Sequence, residues 1–136
     1  MSHPRIFSIK EANEAIPDID PVVESLMEKR RLMQTRHDEL LVLDLIGGEK
    51  IRDTRSLEGK EYLKKSAELE NLILSFEEEI LRINGIGCFL KDLERGLVDF
   101  YHVREKQLIF LCWRKGEKKV GFWHAIDDSR EVRNQL

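Results

Sequence analysis

Two long stretches of the chain carry apolar residues at helical spacing. The first covers about residues 21–46, and Gly47-Gly48 is suited to end it. The second covers about residues 57–84, with Ser56 as its capping residue and two parallel rows of apolar positions. Two helices of this length joined by a short loop predict a long antiparallel helical hairpin over residues 20–85.

A shorter helix signal precedes the hairpin, within residues 1–19. Ser8 and Glu11 stand three residues apart, the spacing of a capping box, in which each side chain bonds the other's backbone N–H. Proline has no N–H to donate and clashes with the preceding turn. We therefore expect Pro17 to limit this helix to about two turns, and Asp20-Pro21 to restart the chain as the longer helix.

From residue 86 to residue 124 the pattern changes to alternating apolar and polar residues, interrupted by short charged turns. Four strands are predicted, at 86–91, 97–103, 108–114 and 119–124. The last three are joined by loops of four residues, which implies an antiparallel meander. The predicted fold is a single α+β domain, in which the helical hairpin packs on a three- to four-stranded antiparallel β-meander. Residues 125–136 form a charged tail.

The register of the meander follows from the assumption that both four-residue loops close as simple hairpins. Val103 then faces Leu108, and Arg114 faces Lys119. The face containing Phe100 is almost entirely apolar, so we expect the helices to pack against it. A slip of one residue would exchange the two faces of a strand.

The opposite face of the predicted sheet combines polar and aromatic residues. Asp99 lies beside Cys112, and next to them runs an aromatic ladder of Tyr101, Phe110 and Trp123. We expect the N-terminal segment or a second subunit to cover this face, and the alternative is a ligand surface. His124 falls on the core face in this register, away from Cys112.

Composition narrows the class of protein. A chain of 136 residues is long enough to bury a core without disulfides. Two cysteines, with no signal peptide in the first ten residues, predict free thiols in a reducing cytoplasm. No apolar run is long enough to span a membrane. The net charge of −3 lacks the broad positive field that nucleic-acid binding requires, so a nucleic-acid partner is disfavoured.

Candidate chemistry on the sheet comes from carboxylates, a thiol and imidazoles. Asp99, Glu117 and His124 are suitable ligand types for a metal, although no HxxxH, HxH or CxxC spacing supports a site. A nucleophilic pair of Cys112 with a histidine is disfavoured, because the expected register places them on opposite faces.

Four short sequence motifs in the chain resemble the signature of a prokaryotic family known as domain of unknown function 2203. They are Gly-Leu-Val-Asp-Phe at 96–100, Leu-Cys-Trp at 111–113, Gly-Glu at 116–117 and Trp-His at 123–124. The N-terminal segment is similar as well, so the resemblance covers nearly the whole chain. It implies no activity. It does direct attention to the polar positions of the family's pattern, which are Asp92, Asp99, Glu117, His124 and Arg133.

Three functions follow from these patterns. The first is a non-catalytic oligomerising or adaptor protein, because one helix carries two apolar rows; the hairpin would form a homo-oligomer, with a dimer favoured. The second is a small metal-assisted hydrolase that uses Asp99, Glu117 and His124, with Arg114 or Arg133 binding an anion. The third is small-molecule binding on the aromatic ladder. No motif specifies a cofactor. The candidate polar residues together are Asp92, Asp99, Cys112, Arg114, Glu117, His124 and Arg133.

Overall fold

The computed structural model describes residues 4–127 and 132–136. Two helices are followed by an antiparallel sheet whose strands lie in sequence order. The elements are α1 (Ile9–Gly47), a 3₁₀ helix (Gly48–Arg52), α2 (Leu57–Ile86), β1 (Phe89–Asp92), β2 (Leu97–Arg104), β3 (Gln107–Arg114), β4 (Phe122–Ala125) and β5 (Asn134–Gln135). The fold is α+β, with a helical hairpin and an antiparallel meander, which confirms the predicted class.

The chain divides into two compact units. Residues Glu28–Glu78 form one, which we call the hairpin unit. The described residues on either side of this segment form the other, which we call the sheet unit; it contains the start of α1, the end of α2 and all five strands. No helix in the described ranges combines the length and the apolar character needed to cross a membrane.

Helix α1 is continuous, and the predicted break at Pro17 is wrong. Both Pro17 and Pro21 lie inside the helix. An interior proline costs roughly 3 kcal/mol, yet here one stripe of residues on both sides of the prolines is buried, which offsets that cost. The stripe is Ala12, Ala15, Ile19, Val22, Val23 and Leu26. The predicted capping box does form, with reciprocal 3.0 Å hydrogen bonds between Ser8 and Glu11.

The core of the sheet unit lies on the face predicted to be apolar. Phe100, Leu111 and Trp113 are fully buried there. The N-terminal segment contributes Phe7, whose ring meets the Phe100 ring edge-on, with the centroids 5.0 Å apart. Helix α1 is tied to the loop before β4, because the backbone N–H of Val120 donates to Asn13 Oδ1 at 2.7 Å.

The hairpin unit is held by polar contacts between its two antiparallel helical segments. Lys29 Nζ donates to Ser75 Oγ at 2.6 Å, and Arg36 pairs with Glu68 at 2.9 Å. Lys65 pairs with Glu39. Many aliphatic side chains of this unit stay more than half exposed, among them Leu41, Val42, Leu45, Ile46, Leu57, Leu63 and Leu74. Part of the predicted apolar rows therefore faces solvent.

The predicted register is confirmed for β2 and β3 and is wrong for β4. Val103 faces Leu108, as expected. On β4, however, His124 faces Phe110, one residue away from the predicted alignment. The hairpin assumption fails because the chain first turns at Glu117, whose backbone N–H donates to Arg114 O at 2.9 Å, and resumes pairing only at Phe122. All side chains of β4 therefore exchange faces.

The strand bounds differ from the prediction at both ends of the sheet. Residue 86 belongs to α2, and β1 begins only at Phe89. The predicted charged tail contributes a fifth strand: Asn134 pairs with Trp123, and Gln135 pairs with Phe122. Residues 128–131 of that tail lie outside the described residues. The sheet thus has five strands rather than three or four.

Candidate metal centre

Three neighbouring strands bring a carboxylate, a thiol and an imidazole together on the face opposite the core. Asp99 on β2 is the direct cross-strand partner of Cys112 on β3. The register of β4 places His124 beside them. All three are buried, with 4%, 1% and 4% of their surfaces exposed. One ligand atom from each lies within 4.8 Å of the others, and no second such group of His, Cys, Asp or Glu occurs in the described ranges.

The orientation of the His124 ring follows from its two hydrogen bonds. Nδ1 lies 3.0 Å from the backbone oxygen of Ala125, and Nε2 lies 3.0 Å from Asp99 Oδ2. A carbonyl oxygen can only accept, so Nδ1 carries the hydrogen and Nε2 faces the carboxylate. One further proton, held by either Nε2 or the carboxylate, must then join His124 to Asp99. Nε2 is thus the nitrogen available to a metal that displaces this proton.

Burial disfavours negative charge at this site. It raises the pKa of Asp99, an effect opposed by the charge and hydrogen bond of His124 and, more weakly, by Lys91. Burial and the neighbouring Asp99 charge also raise the pKa of the Cys112 thiol, against the hydrogen bond and charge of Arg133. In the metal-free protein, burial therefore favours the neutral forms of both acids.

One oxygen atom of the cluster lacks a hydrogen bond. Asp99 Oδ1 is buried and has no hydrogen-bond partner among the described residues. Leaving a buried polar atom without a partner costs about 1–3 kcal/mol, and more if the group is charged. A cation placed between Asp99, Cys112 and His124 would satisfy this oxygen and neutralise both acids.

Aromatic rings border the cluster on one side. The rings of Tyr101 and Phe110 stack with centroids 4.8 Å apart, and the Phe110 centroid lies 5.2 Å from that of His124. Phe89 closes the group, 5.1 Å from Tyr101. The predicted ladder is therefore formed in part. Its third member, Trp123, lies on the other face of the sheet because of the register of β4.

An ion pair from the C-terminal segment borders the cluster near Cys112. The guanidinium of Arg133 donates to Glu117 at 2.7 and 3.1 Å and to the backbone oxygen of Cys112 at 3.3 Å. It also lies 4.2 Å from the ring centroid of Phe122. Glu117 accepts a further bond from the backbone N–H of Arg114 at 2.7 Å. The carboxylate predicted to bind a metal is instead occupied by Arg133.

The other candidate residues from the sequence lie outside this cluster. Asp92 is half-buried at the end of β1, where it accepts a bond from the backbone N–H of Arg95 and pairs with that side chain. The Arg114 side chain is exposed. Sequence reasoning missed Lys91, because a single lysine in a strand carries no signal of its own. It also separated Cys112 from His124, which only the true length of the loop before β4 could have brought together.

Comparison with known protein families agrees with the resemblance that the short sequence motifs show. A sequence model of the family described as uncharacterized conserved protein (DUF2203) matches residues 5–136, so the chain belongs to that family. No curated protein and no solved structure matches the chain. The family description names no activity, and the geometry of the cluster carries the functional argument.

Proposed function

We propose that this protein binds a divalent transition metal of the zinc class through Asp99, Cys112 and His124. The observation that carries the proposal is the meeting of three metal-ligating atoms within 4.8 Å in a buried cluster. This set replaces the sequence-based trio of Asp99, Glu117 and His124 at one position, because Cys112 supplies the third ligand and Glu117 pairs with Arg133.

The donor set and its spacing suit zinc. Thiolate, imidazole and carboxylate are its usual protein ligands, at about 2.0–2.3 Å, so ligand atoms of a tetrahedral site lie roughly 3.5 Å apart. Closing the cluster from 4.8 Å needs only small side-chain adjustments. The bond from His124 Nδ1 to Ala125 O is the outer-shell contact that commonly orients a ligating histidine.

Three protein ligands leave one coordination position open. This is the ligand count of catalytic zinc sites, where bound water is activated as a nucleophile. A metal at this position would thus support the hydrolytic chemistry that the sequence predicts as an alternative. The site requires Cys112 to remain reduced, in keeping with the cytoplasmic location expected from the sequence and with both cysteines being free thiols.

The test is a zinc titration of chelator-treated protein with matched pairs of variants. For each proposed ligand, the sheet unit contains a residue of the same type that can serve as a control. Cys88 is buried beside Ile83 O, His102 bonds Phe7 O, and Asp92 pairs with Arg95. We expect wild type to bind one zinc ion, and C112S, H124Q and D99N each to bind at least about 100-fold more weakly. C88S, H102Q and D92N should bind as wild type does. Equal losses in both sets, or no zinc binding by wild type, would refute the proposal.

A second candidate function is self-association, which the sequence predicts as a homodimer through the hairpin. It is supported by the large aliphatic side chains at the loop end of the hairpin unit, where Leu45, Ile46 and Leu57 are 76%, 81% and 82% exposed. Such a patch favours contact with a second copy of the chain. Light scattering should give the mass of a dimer for wild type and of a monomer for a triple serine variant. The control L81S, at an exposed position of α2 outside the hairpin unit, should remain dimeric. A monomeric wild type would contradict this candidate.

A further inference from the structure

Two hydrogen-bond donors near the β2–β3 end of the sheet lack acceptors. Arg104 Nη1 and Trp123 Nε1 are both buried, and neither has a hydrogen-bond partner in the described segments. The two residues are in contact, because the guanidinium of Arg104 lies over the Trp123 ring, 4.7 Å from its centroid. A buried donor without an acceptor is destabilising, so two of them side by side indicate that an acceptor is missing at this place.

The register of the sheet explains how these two side chains meet. Arg104 is four residues from Phe100 on β2, so both lie on the core face. Trp123 shares that face, because its cross-strand partner Leu111 is also the partner of Phe100. Arg104 is the last residue of β2, and residues 105–107 after it are exposed. Both side chains are half-buried, so the pair lies at the edge of the core, where a small molecule can approach from solvent.

The charge of Arg104 is not balanced as it is in other half-buried arginines of the chain. Arg36 and Arg133 each pair with a glutamate. Within the described residues, the Arg104 guanidinium contacts the face of an indole ring instead of a carboxylate. A guanidinium stays charged at every ordinary pH, and taking it out of water is costly without a counter-charge. The missing acceptor should therefore carry one negative charge.

We propose that Arg104 and Trp123 form a binding site for a small molecule with a carboxylate group, which accepts hydrogen bonds from Arg104 Nη1 and Trp123 Nε1. A carboxylate has one negative charge and two acceptor oxygens, which match one guanidinium and two donors. A phosphate group carries more than one negative charge at neutral pH and exceeds this balance. Trp123 and His124 are consecutive on β4, so they lie on opposite faces of the sheet. The carboxylate site thus goes beyond the proposed metal site and does not depend on it.

The second tryptophan of the chain provides an internal control for the test. Trp113 is fully buried, and its Nε1 already donates to Glu117 O at 2.9 Å. The experiment follows both indole N–H signals by ¹⁵N–¹H NMR while acetate replaces chloride at constant pH and ionic strength, and W123F assigns the signals. We expect the Trp123 signal to shift downfield and saturate at roughly millimolar acetate, the affinity expected for two hydrogen bonds to a charged group. The Trp113 signal should not move.

Variants of Arg104 separate specific binding from a general effect of the anion. R104Q should bind acetate about 10- to 100-fold more weakly, the loss expected for a hydrogen bond between charged groups. R82Q, which changes an exposed arginine on α2, should bind as wild type does. If R104Q does not fold, R104K keeps the charge without the planar fork and should bind about three- to tenfold more weakly.

Inorganic phosphate, titrated in the same way, should bind more weakly than acetate. The inference is overturned if the Trp123 signal shows no saturable shift with acetate, or if both tryptophan signals shift equally. It is also overturned if the folded Arg104 variants bind acetate as wild type does, or if phosphate binds more tightly than acetate. None of these results bears on the metal site.

Discussion

Replacing Asp99 with asparagine should change metal affinity and metal-free stability in opposite directions. Asparagine has the size of aspartate, and its amide can donate to His124 Nε2, which lies 3.0 Å from Asp99 Oδ2. The substitution therefore keeps the shape of the cluster and removes its charge. Zinc should bind more weakly, because one of three ligands is lost. The metal-free protein should become more stable, because the oxygen without a partner at the Oδ1 position then belongs to a neutral amide rather than to a buried carboxylate.

The size of both effects can be estimated from the structure. Structural zinc sites contribute about 10–16 kcal/mol over four ligands, so one ligand contributes roughly 3–4 kcal/mol, or about 100- to 1000-fold in affinity. The stabilisation of the metal-free form should be about 1 kcal/mol at neutral pH, the scale on which an unpartnered buried group costs more when it is charged than when it is neutral. For a chain of this length that raises Tm by roughly 3–5 °C.

The stabilisation has a defined pH dependence. Burial raises the pKa of Asp99, so the folded state favours the protonated carboxyl. Wild-type stability is therefore lost as the pH rises from about 4, the ordinary pKa of aspartate, through the raised pKa of the folded state. D99N does not titrate, so its advantage should be small near pH 4 and full at neutral pH.

The assay is thermal unfolding of the chelator-treated proteins at two pH values, followed by a zinc titration at neutral pH. D92N serves as the matched control, since Asp92 is paired with Arg95 at the end of β1. The reasoning is refuted if D99N binds zinc within about threefold of wild type. It is equally refuted if D99N destabilises the metal-free protein at neutral pH.

Three further predictions follow from the same structure. Zinc binding near pH 7 should release about two protons, one from Cys112 and one shared by Asp99 and His124, measured by calorimetry in buffers of different ionisation enthalpy; no release would argue against thiolate ligation. Burial raises the pKa of Cys88 to about 12, so its thiol should react with a disulfide reagent at about pH 8 only after unfolding, and rapid labelling of the folded protein would be inconsistent with that environment. Lys106 in the β2–β3 turn has a φ of 65°, so K106G should stabilise the protein by about 0.5–1 kcal/mol in urea unfolding, and a loss of stability would contradict the turn geometry.

Local patterns were sufficient to predict the fold class and much of the register. The periodicity of both helices placed the hairpin, and Ser56 caps α2 through a 2.9 Å bond from the backbone N–H of Gly59. Alternation on β2 and β3 predicted the pairing of Asp99 with Cys112. These features depend on residues close in sequence or joined by a tight turn, where side-chain chemistry decides the local geometry.

Tertiary contacts account for what local patterns could not predict. Pro17 forbids a regular hydrogen bond, but burial of Ile19 and the rest of the stripe within the sheet unit outweighs that local cost. The loop before β4 is longer than its turn residues suggest. Val120 lies in this loop with its side chain buried in the core, and its backbone N–H donates to Asn13 Oδ1 rather than to β3. That one-residue difference moves His124 onto the face of Cys112. The three proposed metal ligands could therefore be named from the sequence individually, but not as a set.

The most direct test of the metal site is anomalous X-ray scattering at the zinc edge from crystals grown with zinc. We expect one strong peak per chain, about 2.0–2.3 Å from His124 Nε2, Cys112 Sγ and a carboxylate oxygen of Asp99. A zinc-supplemented crystal with no peak between these three residues, or with its ordered zinc bound by other side chains, would contradict it.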